Sequence, residues 1–413
     1  MNMPSANTRS HRAVKATEPK PSSRHRRPPV RKPSTAPAQS GWRLTKFDIP
    51  LFLVTIVLAV FGLGMLLSAS WAYAAREHSG DSYFYFRNQM MFMSVGIVVM
   101  VVISFINYRL LLNKWVLFIM CGVTVAMMLA VLFGAGGVTQ GGAERWLKIG
   151  PITFQPSEIL KFAMIVVIAW MAHRNPERIK TTFGAIRVAF VVGFSCMLTI
   201  LQPHLSGTVI LFVIGISLMS ISGVRWPYTV LIIVGVLALI PLIPPIMEAA
   251  GYSYSDARML SWRDPTADVQ GDTFQTYQSL VAIGSGGWFG LGLGESRQKF
   301  SYLPASHNDF IFSVIAEELG FVGGMLVILL FVVFILRGFY IAKRAPDRFG
   351  MMLATGVTVQ IGIQAFLNIA VATNTIPNTG VSLPFFSYGG TALLMQMAQI
   401  GVLLNISRQA RIG

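Results

Sequence analysis

Two stretches of this 413-residue sequence concentrate ionisable side chains between long apolar runs. The first reads GGVTQGGAERWLKIGPITFQPSEILK at 136–161 and offers Arg145, Lys148 and Lys161 as cations, with Glu158 three residues before Lys161. That spacing puts Glu158 and Lys161 on one helix face, in the order that favours an ion pair. Charge at membrane depth must be matched or face a water-filled cavity. Two readings stand: the pair pins its helix to a neighbour, or Lys161 and Arg145 lie near a bound pyrophosphate with Glu158 orienting the lysine. Pro156 with Ser157 marks a helix start.

The second stretch, 272–320, carries His307, Asn308 and Asp309 just before an apolar run from Phe310. An aspartate there caps a helix by accepting from its free amides. The rival reading is a partly desolvated carboxylate with the raised proton affinity of a general base. Glu317 and Glu318 lie two turns deeper. At about 100° per residue Glu317 is about 80° from Asp309 and Glu318 lies opposite, so at least one is expected to pair with another helix. The glycines of 284–294 lack a phosphate-loop lysine and a strand–helix context, which predicts a flexible or re-entrant loop. Residues 272–283 are expected as a short amphipathic helix in the interface. His204, in QPHLSGT, reads as a hydrogen-bonded structural residue, and NTIPNTGVSLPFFSYGG at 374–390 as a re-entrant turn packed in protein or lining a cavity.

The elements that must hold these groups are membrane helices. The chain is 54% hydrophobic and 12% charged, about half the charged share of a soluble domain, which excludes an ordinary soluble enzyme. A bilayer core needs about 20 apolar helical residues, and ten segments supply them: 48–70, 88–106, 115–135, 156–172, 184–201, 207–222, 228–247, 310–336, 350–372 and 388–405. The expected fold is an all-α integral membrane protein of ten transmembrane helices. With both termini cytoplasmic, basic residues divide 24 inside to nine outside and acids four to 13, as the positive-inside rule requires. The longest loop, 248–309, then lies outside between helices 7 and 8. Nucleotide donors are scarce there, so chemistry on that face would draw on energy stored in its substrate.

Residues 1–46 hold 11 of the 33 Lys and Arg among repeated prolines and serines. They read as a disordered cytoplasmic tail, with attraction to anionic lipid as the sharper alternative. The domains expected are therefore this tail, a helical domain over 47–407 and a short cytoplasmic C-terminus, 408–413. Because the basic excess sits mostly in the tail, it is no argument for nucleic-acid binding. Cys121 and Cys196 lie in apolar runs without a CxxC partner, so neither a disulfide framework nor a zinc site is implied.

Taken together, ERW with FQPSEILK at 144–161, the run QSLVAIGSGGWFGLGLGESRQKFSYLPASHNDFIFSVIAEELG at 278–320 and QAFLNIAVATNTIPNTGVSLPFFSYGG at 364–390 resemble the SEDS (shape, elongation, division and sporulation) family. GVSLPFFSYGG and YLPASHNDFIF are more like its FtsW and SpoVE members than RodA. The resemblance implies a peptidoglycan glycosyltransferase that polymerises lipid II at the outer face of the bacterial cytoplasmic membrane, during cell division. It implies a class B penicillin-binding transpeptidase and other division proteins as partners, alongside membrane lipid. It places the essential aspartate at Asp309 and the paired residues of the fourth span at Glu158 and Lys161. Substrate contacts are expected from Arg145, Trp146, Lys148, Gln155, Glu158, Lys161, Arg258, Arg263, His307 and Ser387, with a divalent cation, Mg or Mn, as an optional companion to the diphosphate. His204 stands where QPDLGT-type members have Asp and is assigned no role. Two competing classes are a flippase for the same lipid-linked precursor and a noncatalytic division scaffold working through the basic tail.

Overall fold

Asp48 starts the first helix by accepting from the Leu51 amide at 2.9 Å, the usual cap for orphan N–H groups. Its carboxylate also takes Arg337 Nη2 at 2.5 Å, and its own amide donates to Ser407 Oγ at 3.1 Å. One capping residue thereby ties three helices that are far apart in sequence. The computed structural model describes residues 47–134, 137–140, 143–149, 152–239, 254–298 and 307–410. The expected tail and the outer-loop stretches 240–253 and 299–306 lie outside the described residues.

In chain order the helices are α1 (Ile49–Glu77), α2 (Phe84–Phe105), α3 (Lys114–Leu132), α4 (Pro156–Arg174), α5 (Thr182–Ile200), α6 (Leu205–Ile221), α7 (Trp226–Leu239), α8 (Tyr254–Arg263), α9 (Phe274–Ser285), α10 (Ile311–Arg344), α11 (Arg348–Ala372) and α12 (Gly390–Gln409). Among the described residues, eight are long and apolar enough to cross a membrane, and α6 and α7 are shorter apolar helices at the positions of the sixth and seventh expected spans. Phe118, Phe190 and Leu231 project outward among many other exposed large apolar side chains. Such a surface suits lipid and would be untenable as contiguous patches in water.

The interior is the reverse. Helices α4, α11 and α12 are the most enclosed, and Gln360, Gln364, Asn368, Gln396 and Gln399 are buried on the last two. Amide side chains in that position must be hydrogen-bonded or line a polar cavity.

The all-α expectation is corrected at 137–154, where β1 (Gly137–Gln140), β2 (Ala143–Ile149) and β3 (Ile152–Phe154) form a three-stranded antiparallel sheet in the order β1-β2-β3. These strands are short and carry charge within their alternation, so a search for apolar runs passes over them. The expected amphipathic helix at 272–283 appears as α9. The glycine-rich segment after it is re-entrant: the Leu291 and Gly292 amides donate to the Glu317 and Glu318 carbonyls at 3.0 Å each. Phe321 and Val322 amides donate back to Gly287 and Trp288. This exchange opens α10 at Gly320, whose φ of 69° and ψ of −166° are non-helical. A Cβ there would sit 2.3 Å from the Gly290 nitrogen, so only glycine fits. Glu317 accepts from Ser296 Oγ and, at 3.0 Å, from the Arg297 amide, while Glu318 accepts from Ser68 Oγ on α1 at 2.6 Å. The deep carboxylates thus serve the loop and a neighbouring helix; the helical offset expected between them and Asp309 does not apply, because Asp309 precedes the helix.

Candidate active site

Asp309 lies one residue outside the cap of α10. That cap is Phe310, and the groups that act on the Asp309 carboxylate are Arg258 and Arg145 in place of the α10 amides that a capping role would need. Three consecutive carbonyls hold its turn. The Tyr388 amide donates to His307 O at 2.9 Å, Ser387 Oγ donates to Asn308 O at 2.6 Å, and Asn368 Nδ2 donates to Asp309 O at 2.7 Å. Donors from 374–389 and α11 therefore fix a turn that has no regular structure of its own. Gly380, with φ of 67°, faces the carboxylate: a Cβ there would lie 3.3 Å from Asp309 Oδ2.

Two guanidinium groups approach Asp309 from different elements. Arg145 is the bulged residue of β2: Val138 pairs with Trp146 and Thr139 with Glu144, which leaves Arg145 out of the regular alternation. Its Nη2 donates to Pro203 O at 2.6 Å. Arg258 reaches over from α8 and donates through Nη1 to Asn378 O at 2.8 Å. Burial pushes the Asp309 carboxyl above the ordinary carboxylate range, against the opposing pull of Arg258 and then Arg145. Burial and the neighbouring Arg145 lower Arg258 to about 10, with Asp309 opposing, so Arg258 is cationic at neutral pH. A carboxylate whose proton affinity is raised yet balanced by two cations suits proton abstraction beside an anion.

Lys161 and Glu158 form a buried ion pair of 2.8 Å, 3% and 5% exposed. They lie at the start of α4, where the Lys161 charge is felt by His204. Burial, then Arg145 and Lys161, lower His204 to about 3, which makes it a neutral imidazole. His204 has no role assigned from sequence; in the structure it feels both the Arg145 and the Lys161 charge. Its sequence signals are its position beside QP at a break between spans and its place where QPDLGT-type members have Asp.

The remaining expected contacts separate. Lys148 falls on the face of β2 opposite to the buried Leu147 and is exposed. Trp146 shares that face and is half-buried, as is Gln155 at the cap of α4. Arg263 follows Arg258 by five residues, about 140° around the helix, and is exposed. The structure does not bring Lys148 or Arg263 to Asp309. His307 is buried against Tyr73 and Tyr85, with ring centroids 4.7 Å away in each case, and burial lowers it to about 4. Its imidazole is neutral and engaged in packing. Ser387 donates to Asn308 O and accepts from the Leu383 amide at 2.7 Å, which makes it a brace for the turn.

Sequence reasoning passed over Asn368, Gly380 and Gln89. Gln89 on α2 donates to Ser387 O and accepts from the Gly389 amide, each at 3.2 Å. A buried amide inside an apolar run was the available signal for both Gln89 and Asn368. Among the described residues no three His, Cys, Asp or Glu side chains gather, so a divalent ion accompanying the diphosphate would draw most of its ligands from phosphate oxygens and water.

Residues 49–412 match the family of cell cycle proteins that groups FtsW, RodA and SpoVE. The chain is 37% identical to stage V sporulation protein E of Bacillus subtilis (strain 168) over 370 residues, which cover 89% of this chain and 98% of that protein. It is 32% identical over 370 residues to a probable peptidoglycan glycosyltransferase FtsW of Geobacter sp. (strain M18), covering 89% and 99% of the two chains. A solved chain from a peptidoglycan synthase complex that coordinates polymerization and crosslinking superposes with a TM-score of 0.72 at 25% identity. That match covers 89% of this chain and 99% of the other.

Proposed function

The chain belongs to the FtsW/RodA/SpoVE family of cell cycle proteins, and from that membership we propose that it is a peptidoglycan glycosyltransferase acting on lipid II at the outer face of the cytoplasmic membrane. The proposed topology has ten crossings with both termini inside. The observation that carries the reading is the Asp309 carboxylate set among Arg145 and Arg258.

Asp309 takes the proton from the acceptor sugar's 4-hydroxyl. The freed oxygen pair forms a bond to the donor's anomeric carbon from the face opposite the prenyl pyrophosphate. The anomeric C–O bond breaks and the diphosphate leaves with that electron pair, giving inversion. General-base assistance of this kind is worth about 10²–10⁴ in rate. Arg145 and Arg258 stabilise charge as it builds on the diphosphate, the role fixed cations play best. Lys161, anchored by Glu158, extends the cationic side of the recess toward His204. The resemblance to FtsW and SpoVE supports service in cell division, and the synthase-complex neighbour supports a class B penicillin-binding partner.

Transport of the same lipid-linked precursor is the second reading. Deep amide atoms favour it: the side chains of Gln360 and Gln399 find no hydrogen-bond partner among the described residues, as on a polar path between helices. Detergent micelles separate the two, because they have no sealed compartments to transport between. Purified wild-type protein with its transpeptidase partner is expected to lengthen glycan chains from lipid II in micelles, and folded Asp309→Asn to make none. Polymerisation by Asp309→Asn at the wild-type rate would remove the base from the scheme.

A further inference from the structure

The geometry points to Asn368 as the positioning residue that sets where the Asp309 carboxylate sits. The inference deepens the proposed glycosyltransferase reading and rests on it.

Asn368 is 0% exposed on α11. Its Nδ2 donates to Asp309 O and to Val381 O, each at 2.7 Å. Two carbonyl oxygens can be met only by the NH2 end of the amide, so the orientation of this side chain is unambiguous. Both of its hydrogens are engaged, and neither contact touches a reacting atom. Asn368 therefore acts through Asp309 and is no catalytic residue itself.

The two acceptors explain what is being positioned. Val381 follows Gly380, the residue that faces Asp309 Oδ2. One amide thus fastens the backbone behind the carboxylate to the backbone in front of it. The Arg258 contact at Asn378 O belongs to the same segment. That segment is held in turn by Gln89 on α2, through Ser387 O and the Gly389 amide. Carboxylate, guanidinium and glycine wall share a single frame, and Asn368 is where α11 joins it. Ser387 makes the parallel contact one residue earlier, at Asn308 O.

The test uses the full-length protein with its transpeptidase partner in micelles and purified lipid II. Asn368→Leu keeps the volume and removes both donors. The expected result is a kcat lower by on the order of 10²-fold, the effect of about 1 Å of misplacement at a reacting group, with KM within twofold. The acidic limb of the kcat–pH profile should also move toward lower pH, because a loosened turn admits water to the carboxylate. Ser387→Ala, which leaves the helix interior intact, should move both readouts the same way by less. If Asn368→Leu does not fold, Asn368→Ser takes its place: the same shifts in kcat and acidic limb are expected, and unchanged kcat in it overturns the inference. Unchanged kcat in the folded variant, or a raised KM with kcat unchanged, would overturn the inference while Asp309→Asn still abolishes activity. Full activity in Asp309→Asn would instead overturn the base assignment, and the positioning role with it.

Discussion

Lys161 Nζ donates to Glu158 Oε1 across 2.8 Å, one turn apart on α4 and both nearly sealed from solvent. Removing either partner strands a buried charge, which costs about 3–5 kcal/mol, whereas neutral replacement of both is often close to harmless. Glu158→Gln and Lys161→Met are each expected to lower thermal stability in detergent, and the double substitution to restore most of it. Stability that falls additively in the double variant would mean that each residue has a separate partner.

The pH dependence follows from Asp309. A general base works only when deprotonated, so activity is present above its pKa and disappears as pH falls through it. Burial raises that pKa, so the acidic limb of kcat is expected above the ordinary aspartate value of about 3.9. A limb at or below that value would contradict the enclosure described for this side chain.

Arg258 and Arg145 both pull the Asp309 pKa down. Arg258→Gln and Arg145→Gln should therefore shift the acidic limb upward. Each should also lower kcat by about 10²–10³, the usual effect of deleting one donor to developing negative charge. Measurement of kcat against pH in each variant separates the two effects. A limb that stays in place would show that the guanidinium in question does not sense the carboxylate.

Gly380→Ala places a methyl 3.3 Å from Asp309 Oδ2 at a φ of 67°. Left-handed backbone costs an L-residue about 1–2 kcal/mol, so the segment must shift. We expect lower kcat with the protein still folded, read by polymerisation assay beside thermal unfolding. Unchanged kcat would show that the wall facing the carboxylate tolerates movement.

Much of this molecule was legible in one dimension. Apolar run lengths located the helices, because membrane-spanning segments must satisfy their backbone internally and face lipid on one side. The glycine-rich segment after α9 was readable only as a flexible or re-entrant loop, and its exchange of hydrogen bonds with α10 was not foreseen. The Glu158–Lys161 pair followed from helical spacing alone. The sheet at 137–154 was not legible, since its strands are short and polar. Nor could the sequence distinguish Arg145 from Lys148, or Arg258 from Arg263, as neighbours of Asp309. A bulge at Arg145 separates it from Lys148 and helix phase separates Arg258 from Arg263, but only packing says which side chain looks inward. Asn368 shows the limit most clearly. Its type marked it as a buried amide in an apolar helix, yet its partners at positions 309 and 381 are chosen by how two irregular segments meet in space. Local periodicity carries no information about such a meeting; the tertiary structure alone supplies it.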